Sequence, residues 1–133
     1  MIKLITGPKG SGKTKQMIDM INENLTKVKG NIVCIEKSMQ ETHNINANVR
    51  LIDVDEYKID NYAVFYGFFA GVLAGNYDIE QVYVDGILRI GKGDTEHLGT
   101  LLDHIAAIAG DKEVVITISA AAEELPEEVK KYL

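Results

Sequence analysis

The chain is poor in the features that mark several large classes of protein. One cysteine, Cys34, stands among 133 residues, so no disulfide can close within the chain and the small stapled scaffolds are excluded. Cys34 lies in the apolar run Ile32-Val33-Cys34-Ile35 and reads as a buried, inert thiol, which makes a reducing, cytoplasmic setting the expectation. Long apolar runs are also missing. The longest, residues 63–75, covers 13 positions and is broken by Tyr66, short of the ~20 needed to span a bilayer. Met1-Ile2-Lys3 leads directly into a strand-like run, so no secretory signal is expected. Basic charge is scarce: 14 Lys and Arg against 20 Asp and Glu leave a net charge of −6, whereas a general nucleic-acid binder presents a basic face. With no repeat, low-complexity tract or linker, residues 1–133 are expected to form a single domain.

What the chain does contain is a phosphate-binding loop. Residues 7–14 read Gly7-Pro8-Lys9-Gly10-Ser11-Gly12-Lys13-Thr14, matching G-x-x-x-x-G-K-[ST]. Glycines let the backbone curl so that successive N–H groups face an anion. Lys13 supplies a flexible point charge for the outer phosphates of a nucleotide, and the Thr14 hydroxyl is a ligand for Mg²⁺. The flanks agree. A β-type run, Ile2–Thr6, precedes the loop, and Met17, Ile18, Ile21, Leu25 and Val28 follow at helical spacing.

Five β-type segments are expected, at residues 2–6, 31–36, 49–53, 81–85 and 113–119. Helical patterns lie between them at about 13–29, 61–75 and 95–109, with a short last helix from Pro126. Residues 37–48 read as a loop or ragged helix. Unalternated apolar runs such as Val114-Val115-Ile116 imply strands covered on both faces. The fold class is therefore α/β, three layers around a mostly parallel five-stranded sheet. Gly67, Gly71 and Gly75 share one face of the 61–75 helix. That face would serve close packing on the chain's own sheet, or a contact with a second subunit in a homo-oligomer.

Gln81-Val82-Tyr83-Val84-Asp85 carries an acid to the end of an apolar strand, where it can hold Mg²⁺ together with Thr14. Asp85-Gly86 is also a good turn dipeptide. With the loop, this strand and the order of segments on the page, the chain resembles the P-loop NTPases, and among them the RecA-like division. That resemblance implies ATP with Mg²⁺, residues 7–14 around the phosphates, and a polar residue near the γ-phosphate at the end of the last strand, here Thr117 or Ser119. The opening also resembles thymidine kinases, but their Asp-Glu at the acidic strand end and their cysteine-rich zinc lobe are missing. No Asn-Lys-x-Asp sequence is present to read guanine, so ATP is preferred. No Arg-rich lid is visible, which counts against a small-molecule kinase.

Hydrolytic members of the division usually carry a glutamate after the strand-end acid, but Gly86 stands there. Glu36, at the end of the second strand, is the alternative base, or else an ordinary strand-end charge. Arg89, in a flexible basic loop of residues 89–94, reads as solvated, as a phosphate contact, or as an arginine finger offered to a neighbouring subunit. His43, His97, His104 and Cys34 have no zinc-site spacing. Two functions remain open: a slow Mg²⁺-dependent NTPase with Lys13 as its charged group, or an ATP-responsive switch or assembly module with little turnover.

Overall fold

Consecutive apolar residues from Ile32 to Ile35 require cover on both sides of a sheet, and the fold provides it. A computed structural model describes residues 1–38 and 45–133. The strands are β1 (Ile2–Thr6), β2 (Asn31–Glu36), β3 (Arg50–Asp53), β4 (Ile79–Asp85) and β5 (Glu113–Ile118). The helices are α1 (Lys13–Asn24), α2 (Tyr62–Gly75), α3 (Ile87–Ile90), α4 (Leu98–Ala109) and α5 (Glu127–Lys130). The sheet order is β1-β5-β4-β2-β3. Every strand pair among the described residues is parallel, where a mostly parallel sheet was expected.

Alternate residues of each strand enter different cores. Ile32 and Cys34 pack with Met17, Ile18 and Ile21 of α1. Val33 and Ile35 join Phe65 and Phe69 of α2 and Leu102 and Ile105 of α4 on the opposite face. The result is a three-layer α/β fold. No helix among the described residues is long and apolar enough to cross a membrane.

Several boundaries shift for local reasons. α1 ends at Asn24 rather than residue 29, because the Asn24 carbonyl accepts the N–H groups of Lys27 and Val28 at 2.9 and 3.1 Å and turns the chain. α4 begins at Leu98, three residues later than expected, because an Asp94 carboxylate oxygen accepts the His97 N–H at 3.0 Å. α2 starts where its Asn61 side chain caps the Val64 N–H at 2.9 Å. The residues expected as a flexible loop at 89–94 begin inside α3, which is anchored by the fully buried Ile87 and Ile90. Of the stretch expected as loop at 37–48, residues 39–44, including His43, lie outside the described residues.

The glycine face of α2 does not pack on the sheet. Gly67, Gly71 and Gly75 are exposed, and a Cβ at any of them would meet nothing within 4 Å. Phe65 and Phe69 bury the other side of the helix. Two large rings outweigh three absent side chains in deciding which face turns inward.

Candidate functional site

The loop between β1 and α1 needs glycine for its path. Gly10 and Gly12 have φ of 82° and 88°, a region that side chains disfavour. Gly12 is the residue before α1, and no side chain caps that helix end. Its first N–H groups, at the positive end of the helix, are therefore not capped by a side chain, an arrangement that suits an anion. The loop is anchored at its start by the Gly7 N–H donating to the Ala120 carbonyl at 3.0 Å. Lys13 folds back and donates from Nζ to the Pro8 carbonyl at 2.9 Å. It is 8% exposed. Burial lowers its pKa from the usual lysine value, Asp85 opposes that shift and Arg89 adds to it.

Asp85 is the hub opposite the loop. It ends β4, is 3% exposed, and accepts from the Thr14 hydroxyl at 3.1 and 3.2 Å. Thr117, on the neighbouring strand β5, donates its hydroxyl to Asp85 at 2.7 Å and accepts the Gly86 N–H at 2.7 Å. That second bond fixes the turn after β4, where Gly86 has φ of 78°. Arg89 completes the cluster, its guanidinium 3.7 Å from the Asp85 carboxylate.

Glu36 lies beside this hub. Parallel pairing of β2 with β4 puts Glu36 in register with Asp85, and Glu36 is 2% exposed. The two buried acids act on their neighbourhood. The Cys34 thiol, one residue before Ile35 and wholly buried, is pushed far above its usual pKa, chiefly by burial and then by the charges of Glu36 and Asp85. A thiol held protonated in this way is unreactive.

These groups share a cleft of about 470 Å³ outside the carboxyl ends of the strands, lined by Lys9, Gly10, Lys13, Thr14, Glu36, Lys37, Asp85, Gly86, Arg89, Thr117 and Ser119. Ligands of open parallel sheets bind at that end. A larger hollow of about 660 Å³ lies at the opposite end, around Asn31, Ile79 and Glu113. It is lined by strand starts and by turns such as Tyr77-Asp78 and Asp111-Lys112 that follow helix C-terminal ends, and by no helix N-terminus, so the smaller cleft is the candidate site.

The donor set suits Mg²⁺. Thr14 and Asp85 offer hard oxygen ligands from two directions, and no cluster of three or more His, Cys, Asp or Glu fit for a metal occurs among the described residues. Mg²⁺ commonly takes one or two protein oxygens and completes its shell with phosphate oxygens and water.

Loop residues Lys9, Gly10, Lys13 and Thr14 and the separate candidates Glu36, Asp85 and Arg89 all come together at this cleft. Gly7, Pro8, Ser11 and Gly12 form the rest of the loop. Arg89 lies against Asp85 of its own chain, with its side chain half-exposed. Sequence reasoning missed the role of Gly86 as the floor beneath Arg89. The pair Ile87 and Ile90, three apart and apolar, was the available signal for the helical turn that aims Arg89. Compared with known proteins, the chain matches no family model and no curated protein.

Proposed function

We propose that this chain is a P-loop nucleotide-binding protein of the RecA-like kind, which binds ATP with Mg²⁺ and hydrolyses it slowly when alone. The observation that carries the reading is the meeting of the loop's Lys13 and Thr14 with Asp85 at the strand ends. Loop N–H groups and Lys13 would hold the outer phosphates, while Thr14 and Asp85 would hold the metal. Bound Mg²⁺ neutralises charge on the phosphates. Thr117 keeps the Asp85 carboxylate aimed into the cleft. Glu36, buried at the adjacent strand end, is the candidate for orienting an attacking water.

Gly86 favours a second reading, an ATP-responsive switch or assembly module with little turnover. The position next to the metal-binding acid carries no side chain, and an arginine covers it. Self-association through the open face of α2 belongs to this reading, as does a cytoplasmic setting. Adenine is preferred over guanine because no guanine-reading acid is present.

Displacement of a fluorescent ATP analogue by ATP, ADP and GTP, in the presence of Mg²⁺, tests the proposal. Displacement by ATP and ADP, with GTP equal or weaker, supports it. Failure of the folded protein to bind the analogue overturns it.

A further inference from the structure

Asp85 is a buried carboxylate, and a buried charge is costly unless it is paired. Four cationic side chains line its cleft: Lys9, Lys13, Lys37 and Arg89. Lys9 is exposed to solvent. Lys13 donates to the Pro8 carbonyl, and Lys37 is held by Asp55 at 2.5 Å. Arg89 is the cation in ion-pair contact with Asp85 among the described residues, at 3.7 Å, while the Asp85 charge also acts on Lys13. The backbone makes room for it. A Cβ on Gly86 would lie 2.5–2.9 Å from three atoms of the Arg89 guanidinium, so the guanidinium rests on a residue without a side chain.

The same carboxylate is the one proposed above to hold Mg²⁺, and two cations cannot share it at low cost. The Arg89 side chain is 48% exposed, so an outward rotamer from its base on α3 would meet solvent rather than the core. Its next partners along the cleft wall would be the outer oxygens of a nucleotide held by the loop. We propose that Arg89 is a resident counter-ion of Asp85 which Mg²⁺ displaces, and that the released guanidinium then grips the terminal phosphate of a nucleoside triphosphate. Arg89 is on this account a specificity residue within one chain, separating triphosphate from diphosphate, and it reaches that role only when the metal has arrived. This inference rests on the proposed nucleotide site.

The test uses Mn²⁺, read by electron paramagnetic resonance, on the nucleotide-free protein. Arg89→Met keeps most of the side chain's bulk and removes its charge. It should bind Mn²⁺ about fivefold more tightly than wild type, the scale of a half-exposed ion pair. In the presence of Mg²⁺ it should also lose about tenfold of the preference for a non-hydrolysable ATP analogue over ADP, as expected for a charge-assisted contact removed. Arg89→Lys keeps the charge, so its Mn²⁺ affinity should stay near wild type. Equal Mn²⁺ affinity of wild type and Arg89→Met, with normal Mg·ATP binding by wild type, overturns the exchange and leaves the nucleotide site standing. Tighter Mn²⁺ binding with an unchanged triphosphate preference overturns the phosphate grip. Absence of Mn²⁺ and Mg·ATP binding in folded wild-type protein overturns the inference and the site together.

Discussion

Thr14 and Asp85 are 71 positions apart, yet the hydroxyl of one donates to the carboxylate of the other at 3.1 Å. The contact joins the end of the β1–α1 loop to the end of β4, which lies two strands from β1 across β5. A metal placed between these two oxygens would touch both halves of the site at once.

Asp85→Asn should therefore weaken Mg·ATP binding more than binding of ATP in the presence of a chelator. The amide keeps the shape but loses the charge proposed to hold the metal. Titration calorimetry under both conditions reads the difference. An equal loss with and without metal would assign Asp85 to supporting the turn through Thr117.

A glutamate placed directly after Asp85 should not raise the rate. Gly86→Glu places a side chain at φ of 78°, a backbone region that side chains disfavour and that the turn after β4 requires, so steady-state ATP turnover should fall or stay flat. Glu36→Gln should lower the residual rate by roughly 10²–10⁴, the usual contribution of a general base, while leaving ATP affinity unchanged. A gain in rate from Gly86→Glu would show that the position is open to a catalytic acid.

How far the site could be read in advance depended on distance along the chain. The loop is eight consecutive residues whose spacing carries its own chemistry, and strands such as β2 announce themselves by unalternated apolar residues, here 32–35. Glu36 and Asp85 were found as acids ending such runs. The strand order was not legible, because nothing local in Val114–Ile118 says that Thr117 will lie beside Asp85. α3 was missed since four residues are too few for a helical period to show. α2 was misjudged because its glycines and its aromatics compete for the sheet, and burial of Phe65 and Phe69 decides which face turns inward.

That open glycine face makes its own prediction. Gly67→Ala and Gly71→Ala should each stabilise the protein by up to about 1 kcal/mol, the helix-propensity difference, and raise the melting temperature by a few degrees. A drop in stability that grows with protein concentration would show instead that a second copy covers this face.

The turn that leads into α4 should respond to pH. The His97 ring lies 2.8 Å from Asp94, whose hydrogen bond and charge raise the His97 pKa above its usual value. Bonds from the His97 N–H and ring lower the pKa of Asp94. A raised histidine stabilises fully below its unfolded pKa of about 6.5 and loses that contribution as pH climbs through the raised value. A depressed aspartate stabilises above about 3.9 and loses its share as pH falls through the lowered value. The pair should thus be strongest between these limits. Proton NMR should place the His97 midpoint above 6.5, and Asp94→Asn should bring it down; a midpoint indifferent to that substitution would disprove the coupling.

The most direct measurement compares Mg·ATP binding by wild type and Lys13→Ala, with circular dichroism to establish that both are folded. Lys13 is nearly buried and already donates within the loop, so a phosphate would take over a charge-assisted contact worth about 1.5–3 kcal/mol. The account predicts an affinity lower by roughly 10- to 150-fold in the variant. Equal affinity of the two folded proteins for Mg·ATP would contradict it.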